Sequence, residues 1–212
     1  ISNDGTTLYV AVRWATSATY GYLLGLDTTT LATKYSVFLR DPRNSNPASI
    51  SDDSTASPMV APDGDVYFGV TAPNSGSRGF LLRFSGDLSV TKTPGAFGWD
   101  YTAGIVPAAM VPSYNGNSPY LLFTKYNDYP FFDGSGVNRV AILDPNAIQI
   151  DPHSSANGLV VMGEVLTVIA PTPDPDVNPV TFPLAVKEWC INAPAVNPAT
   201  NSVFFTSEAL TL

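Results

Sequence analysis

The chain has 212 residues, 44% of them apolar and only 13% charged, which is enough apolar material to bury a sizeable core and does not describe a disordered polymer. Ten Lys and Arg against eighteen Asp and Glu leave a net charge of -8, and no basic run is present to neutralise a phosphate backbone, so nucleic acid is not expected as a partner. No apolar run reaches the roughly 18 residues that a membrane-crossing helix needs, and the single cysteine, Cys190, excludes an internal disulfide and Cys-x-x-Cys zinc or haem motifs.

Nineteen prolines and sixteen glycines, with many Thr, Ser and Asn, favour strands and tight turns over helices. The acidic, Lys-poor, Thr/Asn/Pro-rich balance is that of an exported protein, so a secreted or cell-surface location is expected, with the periplasm as an alternative. No Asn-x-Ser/Thr sequon is present. The opening at Ile1, without an initiator Met, reads as a processed or trimmed product.

Along the chain, an Asp4-Gly5 turn leads into a strand through Leu8–Ala11, followed by Gly21–Asp27 and Lys34–Leu39. A Pro-flanked strand, Ser57–Pro62, precedes the turn Asp63-Gly64, then Val66–Val70 and Gly79–Ser85. Leu8 and Val66 are separated by the same 58 residues as Gly21 and Gly79, the mark of a repeat architecture. A third copy carries Val106–Pro112, Tyr120–Thr124 and Asn138–Asn146. From Gln149 to Val186 the pattern is interrupted by a further strand, Val160–Val168, and a Pro-rich insertion, Ala170–Pro179. A fourth copy begins with Ala193–Pro198 and Val203–Thr206.

Four short strands per unit describe a propeller blade. The fold is therefore expected to be all-β: one β-propeller region of four-stranded antiparallel blades, about three and a half of them. The approximate blades are 1–50, 51–100, 101–186 with its insertion, and an incomplete 187–212. Near-continuous apolar strands such as Val66–Val70 and Tyr120–Phe123 suit sheets covered on both faces; a β-sandwich, the alternative, would alternate more clearly. Because the pattern opens and closes within blades, a longer polypeptide, or other chains covering exposed blade edges, is expected.

The run Ser57-Pro58-Met59-Val60-Ala61-Pro62-Asp63-Gly64-Asp65-Val66-Tyr67-Phe68-Gly69-Val70, with Gly21-Tyr22-Leu23-Leu24-Gly25-Leu26-Asp27-Thr28-Thr29-Thr30 in the neighbouring copy, resembles the quinoprotein-like (PQQ-like) β-propeller repeat. The resemblance implies the fold rather than a chemistry. Enzymes of that kind hold a quinone and a calcium ion using a vicinal Cys-Cys pair, a stacking Trp and acidic ligands. Here Trp189-Cys190 supplies an indole and one thiol.

His153 is the only imidazole, and Gly-x-Ser-x-Gly is absent, so a Ser/His/Asp hydrolase is not expected; Gly134-Ser135-Gly136 reads as a loop tip. Asp174-x-Asp176-x-Asn178 alternates oxygen donors as a calcium loop does, although Pro173, Pro175 and Pro179 stiffen it. The loop residues Tyr126, Asp128, Tyr129, Phe131, Phe132 and Asp133 set aromatics beside carboxylates, as recognition surfaces do. Equally, Phe131 and Phe132 can fold back as a small satellite core. The function expected is a non-catalytic binding or scaffold module recognising a protein or glycan through rim loops. Part of a quinone- or calcium-dependent propeller dehydrogenase, or a structural subunit of a surface assembly, are the alternatives.

Overall fold

The structure, a computed structural model, describes residues 1–17, 19–50, 56–71, 79–130, 134–153, 158–189 and 193–206. It is all-β. The first sheet holds β1 (Thr7–Arg13), β2 (Gly21–Asp27) and β3 (Thr33–Phe38). The second holds β4 (Met59–Val60), β5 (Val66–Thr71), β6 (Gly79–Phe84) and β7 (Thr91–Gly95). The third holds β8 (Gly104–Pro107), β9 (Tyr120–Tyr126), β10 (Arg139–Ile150) and β11 (Val160–Ile169), and the fourth holds β12 (Ala195–Asn197) and β13 (Ser202–Phe204). Within each sheet every strand pairs antiparallel with its neighbour in sequence. Among the described residues no helix is long and apolar enough to cross a membrane.

The repeat holds at the level of register. Leu8 pairs with Leu26, Val10 with Leu24 and Val12 with Tyr22; 58 residues on, Val66 pairs with Phe84, Phe68 with Leu82 and Val70 with Phe80. The next hairpins agree as well, with Leu26 opposite Thr33 and Phe84 opposite Thr91. The turns before β1 and β5 use Gly5 at φ 73° and Gly64 at φ 87°, a region that glycine occupies without a Cβ penalty.

Packing shows how neighbouring sheets are related. On β5, Val66, Phe68 and Val70 enter one core with Tyr9 and Leu23 of the first sheet. Tyr67 of the same strand enters a second core with Tyr120 and Leu122 of the third. The middle sheet is thus covered on both faces by different neighbours, whereas each sheet of a two-layer sandwich contributes one face to a single core. The sheets stack face to face, as in a partial propeller or a sandwich of stacked sheets, and among the described residues no sheet closes into a barrel. Phe68, Phe80 and Phe84, each at most 1% exposed, contribute about 1.5–3 kcal/mol apiece through burial.

Polar ties cross both interfaces. Tyr9 donates to the Gly86 carbonyl at 2.6 Å, joining the first sheet to the second. Between the second and third, buried Arg83 donates from Nε to Asp65 at 2.6 Å and from its terminal nitrogens to Asp63, Asn146 and the Pro145 carbonyl. Lys92 adds contacts of 2.6 and 2.8 Å to Asp65. The Tyr67 and Tyr120 hydroxyls share a hydrogen bond of 3.0 Å, and Tyr120 donates to Asp63 at 2.9 Å; burial pushes the Tyr67 phenol far up.

Two elements differ from expectation. The strand expected over Val106–Pro112 stops at Pro107 and continues as a 3-10 turn, Ala108–Met110; Pro107 and Pro112 have no N–H to offer a ladder. The second strand of the third copy, expected to end near Asn146, runs on as β10 to Ile150 past a register shift between Asp144 and Ile148. Pro145 lies in that shift, where an irregularity accommodates the missing donor.

Candidate functional site

The loop after β9 is built inward. Tyr126 is 3% exposed, and its ring meets the edge of Phe97 at 4.8 Å. Asp128 organises the turn: its carboxylate accepts from the Ser135 amide at 2.9 Å and hydroxyl at 2.5 Å. Its amide donates to Asn138 Oδ1, and its carbonyl accepts from the Gly136 amide, both at 2.6 Å. Asn127 donates to the Tyr129 hydroxyl at 3.1 Å and exchanges hydrogen bonds with the backbone of Trp189. Tyr129 packs edge-on against Trp99, and burial pushes its phenol up. These side chains form the base of the loop and tie it to the segment carrying Trp189. Phe131, Phe132 and Asp133 lie outside the described residues.

Asp174 and Asp176 do converge, but on a lysine. The Lys187 ammonium lies 3.2 Å from Asp174 Oδ1 and 2.5 Å from Asp176 Oδ2, and these contacts, Asp176 foremost, raise its pKa. Asn178 is engaged in its own turn, accepting from the Val180 amide at 2.9 Å. Lys187 therefore supplies the positive charge that the alternating carboxylates anticipate. Among the described residues no group of three His, Cys, Asp or Glu has the geometry to hold a metal ion.

His153 sits between aromatic rings and a carboxylate. Its ring is 5.4 Å from Phe97 and 5.8 Å from Tyr126, and Nε2 is 3.1 Å from Glu164. Burial pushes the Glu164 carboxyl up, but His153, Thr167 and Gln149 outweigh it, so the group titrates below its usual range. Trp189 is 6% exposed and packs against Phe205 at 5.2 Å; Cys190 lies outside the described residues. The turn residues Asp63 and Asp65 serve Arg83 and Lys92.

The outer face of the first sheet, which no motif marked, is the most distinctive surface. Leu8, Val10 and Val12 on β1 stand opposite Leu26, Leu24 and Tyr22 on β2, and all six are partly exposed. Trp14, 46% exposed, extends the row. Tyr22 and Trp14 both meet Phe38 edge-on, at 4.9 and 5.9 Å, and the Arg40 guanidinium lies 5.2 Å over the Phe38 ring. None of the six paired residues carries a charge. The signal was present in the repeat, since each corresponds to a wholly buried residue of β5 or β6, but reading it requires knowing which face of each sheet its predecessor covers.

No family model, curated protein or solved structure matches the chain.

Proposed function

We propose that the chain is a non-catalytic scaffold and binding module of an exported or cell-surface protein, and that it engages a protein or glycan partner through the outer face of its first sheet. The observation that carries this reading is the contrast between repeat twins. Val66, Phe68, Val70, Phe80, Leu82 and Phe84 are at most 2% exposed, while Leu8, Val10, Val12, Tyr22, Leu24 and Leu26 are left partly open. A contiguous apolar and aromatic face of this kind is an interaction surface on a rigid support. In the loop after β9, Tyr126, Asp128 and Tyr129 tie the loop's base to its neighbours.

The test compares the wild-type chain with Leu24→Glu, each challenged with a glycan array and with the immobilised chain itself. Circular dichroism and thermal unfolding serve as folding controls. The reading predicts that wild type binds at least one probe and that the folded variant loses that binding. Identical behaviour of the two proteins toward every probe would overturn it.

A further inference from the structure

The two inter-sheet spaces that follow Tyr9 and Tyr67 are filled differently. Tyr9 stands opposite Gly25 in the first sheet, and its repeat twin Tyr67 stands opposite Arg83 in the second. The Arg83 guanidinium lies 5.7 Å over the Tyr67 ring and reaches across to the Pro145 carbonyl of the third sheet. Gly25 has no side chain with which to do the same. Between the first and second sheets a cleft of about 380 Å³ is left open, with Asp4, Thr7, Tyr9, Tyr35, Asp63 and Gly86 in its walls, within the size range of small-molecule sites. It is preformed, because residues of its walls tie the two sheets together. Asn3 donates to the Ala61 and Pro62 carbonyls at 2.9 and 3.2 Å, and Tyr9 donates to the Gly86 carbonyl at 2.6 Å.

Charge separates the cleft from the filled space. Asp65, which holds both Arg83 and Lys92, corresponds in the repeat to Thr7, and Lys34, the twin of Lys92, accordingly meets a neutral oxygen, Thr7 Oγ1, at 3.0 Å. A cation in the cleft would lack the buried counter-charge that Asp65 gives Arg83, so the cleft suits an uncharged polar molecule. Its walls bind hydroxyl groups. Hydrogen bonds from Ser2 and from the Thr6 amide and hydroxyl hold the exposed Asp4 carboxyl down at about 2, which keeps it an ionised acceptor across the neutral range. Asp63, 38% exposed, brings a second carboxylate from the other sheet, and the partly exposed Tyr35 adds ring surface. A pyranose is the complement of these groups, with hydroxyl donors around its rim and an apolar C–H face.

We propose that this cleft binds a neutral sugar ring, its hydroxyls donating to Asp4 and Asp63 and a C–H face resting on Tyr35. The site lies on the inner side of the first sheet and is separate from the outer face that carries Leu24. A single ring of about 12 non-hydrogen atoms in an open cleft is expected to bind with a Kd of about 1–10 mM.

Saturation-transfer NMR with the methyl glycosides of glucose, galactose, mannose and N-acetylglucosamine tests it, with N-acetylarginine amide as a cationic probe. Wild type is expected to bind at least one glycoside, and Asp4→Ala and Tyr35→Ala are each expected to weaken that binding about tenfold or more while circular dichroism shows an unchanged fold. Asp4 is an exposed turn residue, so Asp4→Ala remains a test should Tyr35→Ala fail to fold. A wild type that binds no glycoside overturns the proposal, as does binding of the arginine probe alone, which would make the cleft a cation site. Glycoside binding that Leu24→Glu abolishes and Asp4→Ala leaves intact also overturns it, and assigns the sugar to the outer face of the first sheet instead.

Discussion

Leu24 and Leu82 occupy equivalent places in two sheets, and the same substitution at each separates stacking from propensity. Leu82 is 2% exposed in the core between the first and second sheets. Its replacement by Ala removes buried methyl groups and leaves a cavity that fixed neighbours on both sides cannot fill. Leu→Ala in such a core costs about 2–5 kcal/mol, and about 3 kcal/mol is expected here. For a domain of this size that lowers Tm by about 6–12 °C. Leu24, on the partly exposed twin face, has less to lose, and Leu24→Ala is expected to cost about 1 kcal/mol, or about 2–4 °C. The assay is thermal unfolding in dilute solution, with urea titrations to check for a common m-value. Equal losses at the two sites would refute the argument that one face is covered within the chain and its twin is not.

Arg83→Met leaves Asp63, Asp65 and the Pro145 carbonyl without their shared donor. Breaking one side of a buried pair costs about 3–5 kcal/mol, and the lower end is expected in urea unfolding because Lys92 keeps its contacts with Asp65. The lowered pKa of Glu164 makes it a source of stability above its unfolded value of about 4.5 that is lost as pH falls through the folded value. Glu164→Gln should therefore flatten the fall in Tm between pH 5 and lower pH, and an unchanged profile would remove Glu164 from that role. Lys187→Gln leaves Asp174 and Asp176 facing a neutral side chain. Its Tm is expected to gain a dependence on added calcium that wild type lacks, and calcium dependence in wild type would contradict the assignment of Lys187 as their counter-charge.

The all-β fold was legible because strand and turn residues recur at a constant spacing, and the structure keeps that spacing down to individual cross-strand pairs such as Val10 with Leu24 and Phe68 with Leu82. Positions whose conformation depends on a missing donor were less legible. A proline inside an apolar run reads as strand, yet Pro107 ends β8 while Pro145 is absorbed within β10. Charge partners were hidden by distance in sequence: Lys187 stands 11 residues beyond Asp176, and Arg83 gathers groups as far apart as Asp63 and Asn146. A carboxylate motif announces a demand for positive charge and is silent on whether a metal or an ammonium meets it. In the aromatic loop the inward packing of Tyr126 and Tyr129 was not legible either, because their partners Phe97 and Trp99 lie about 30 residues earlier in the sequence.

Hydroxyl-radical footprinting of the aromatic side chains, read by mass spectrometry over a concentration series, tests the central claim most directly, because Phe80 and Phe84 lie in the face that the chain covers itself while Trp14 and Tyr22 lie in its open twin. The account predicts strong protection of Phe80 and Phe84 at every concentration, with Trp14 and Tyr22 labelled in dilute protein. Rapid labelling of Phe80 and Phe84 would contradict the stacked sheets, and protection of Trp14 and Tyr22 in dilute protein would contradict the open face of the first sheet.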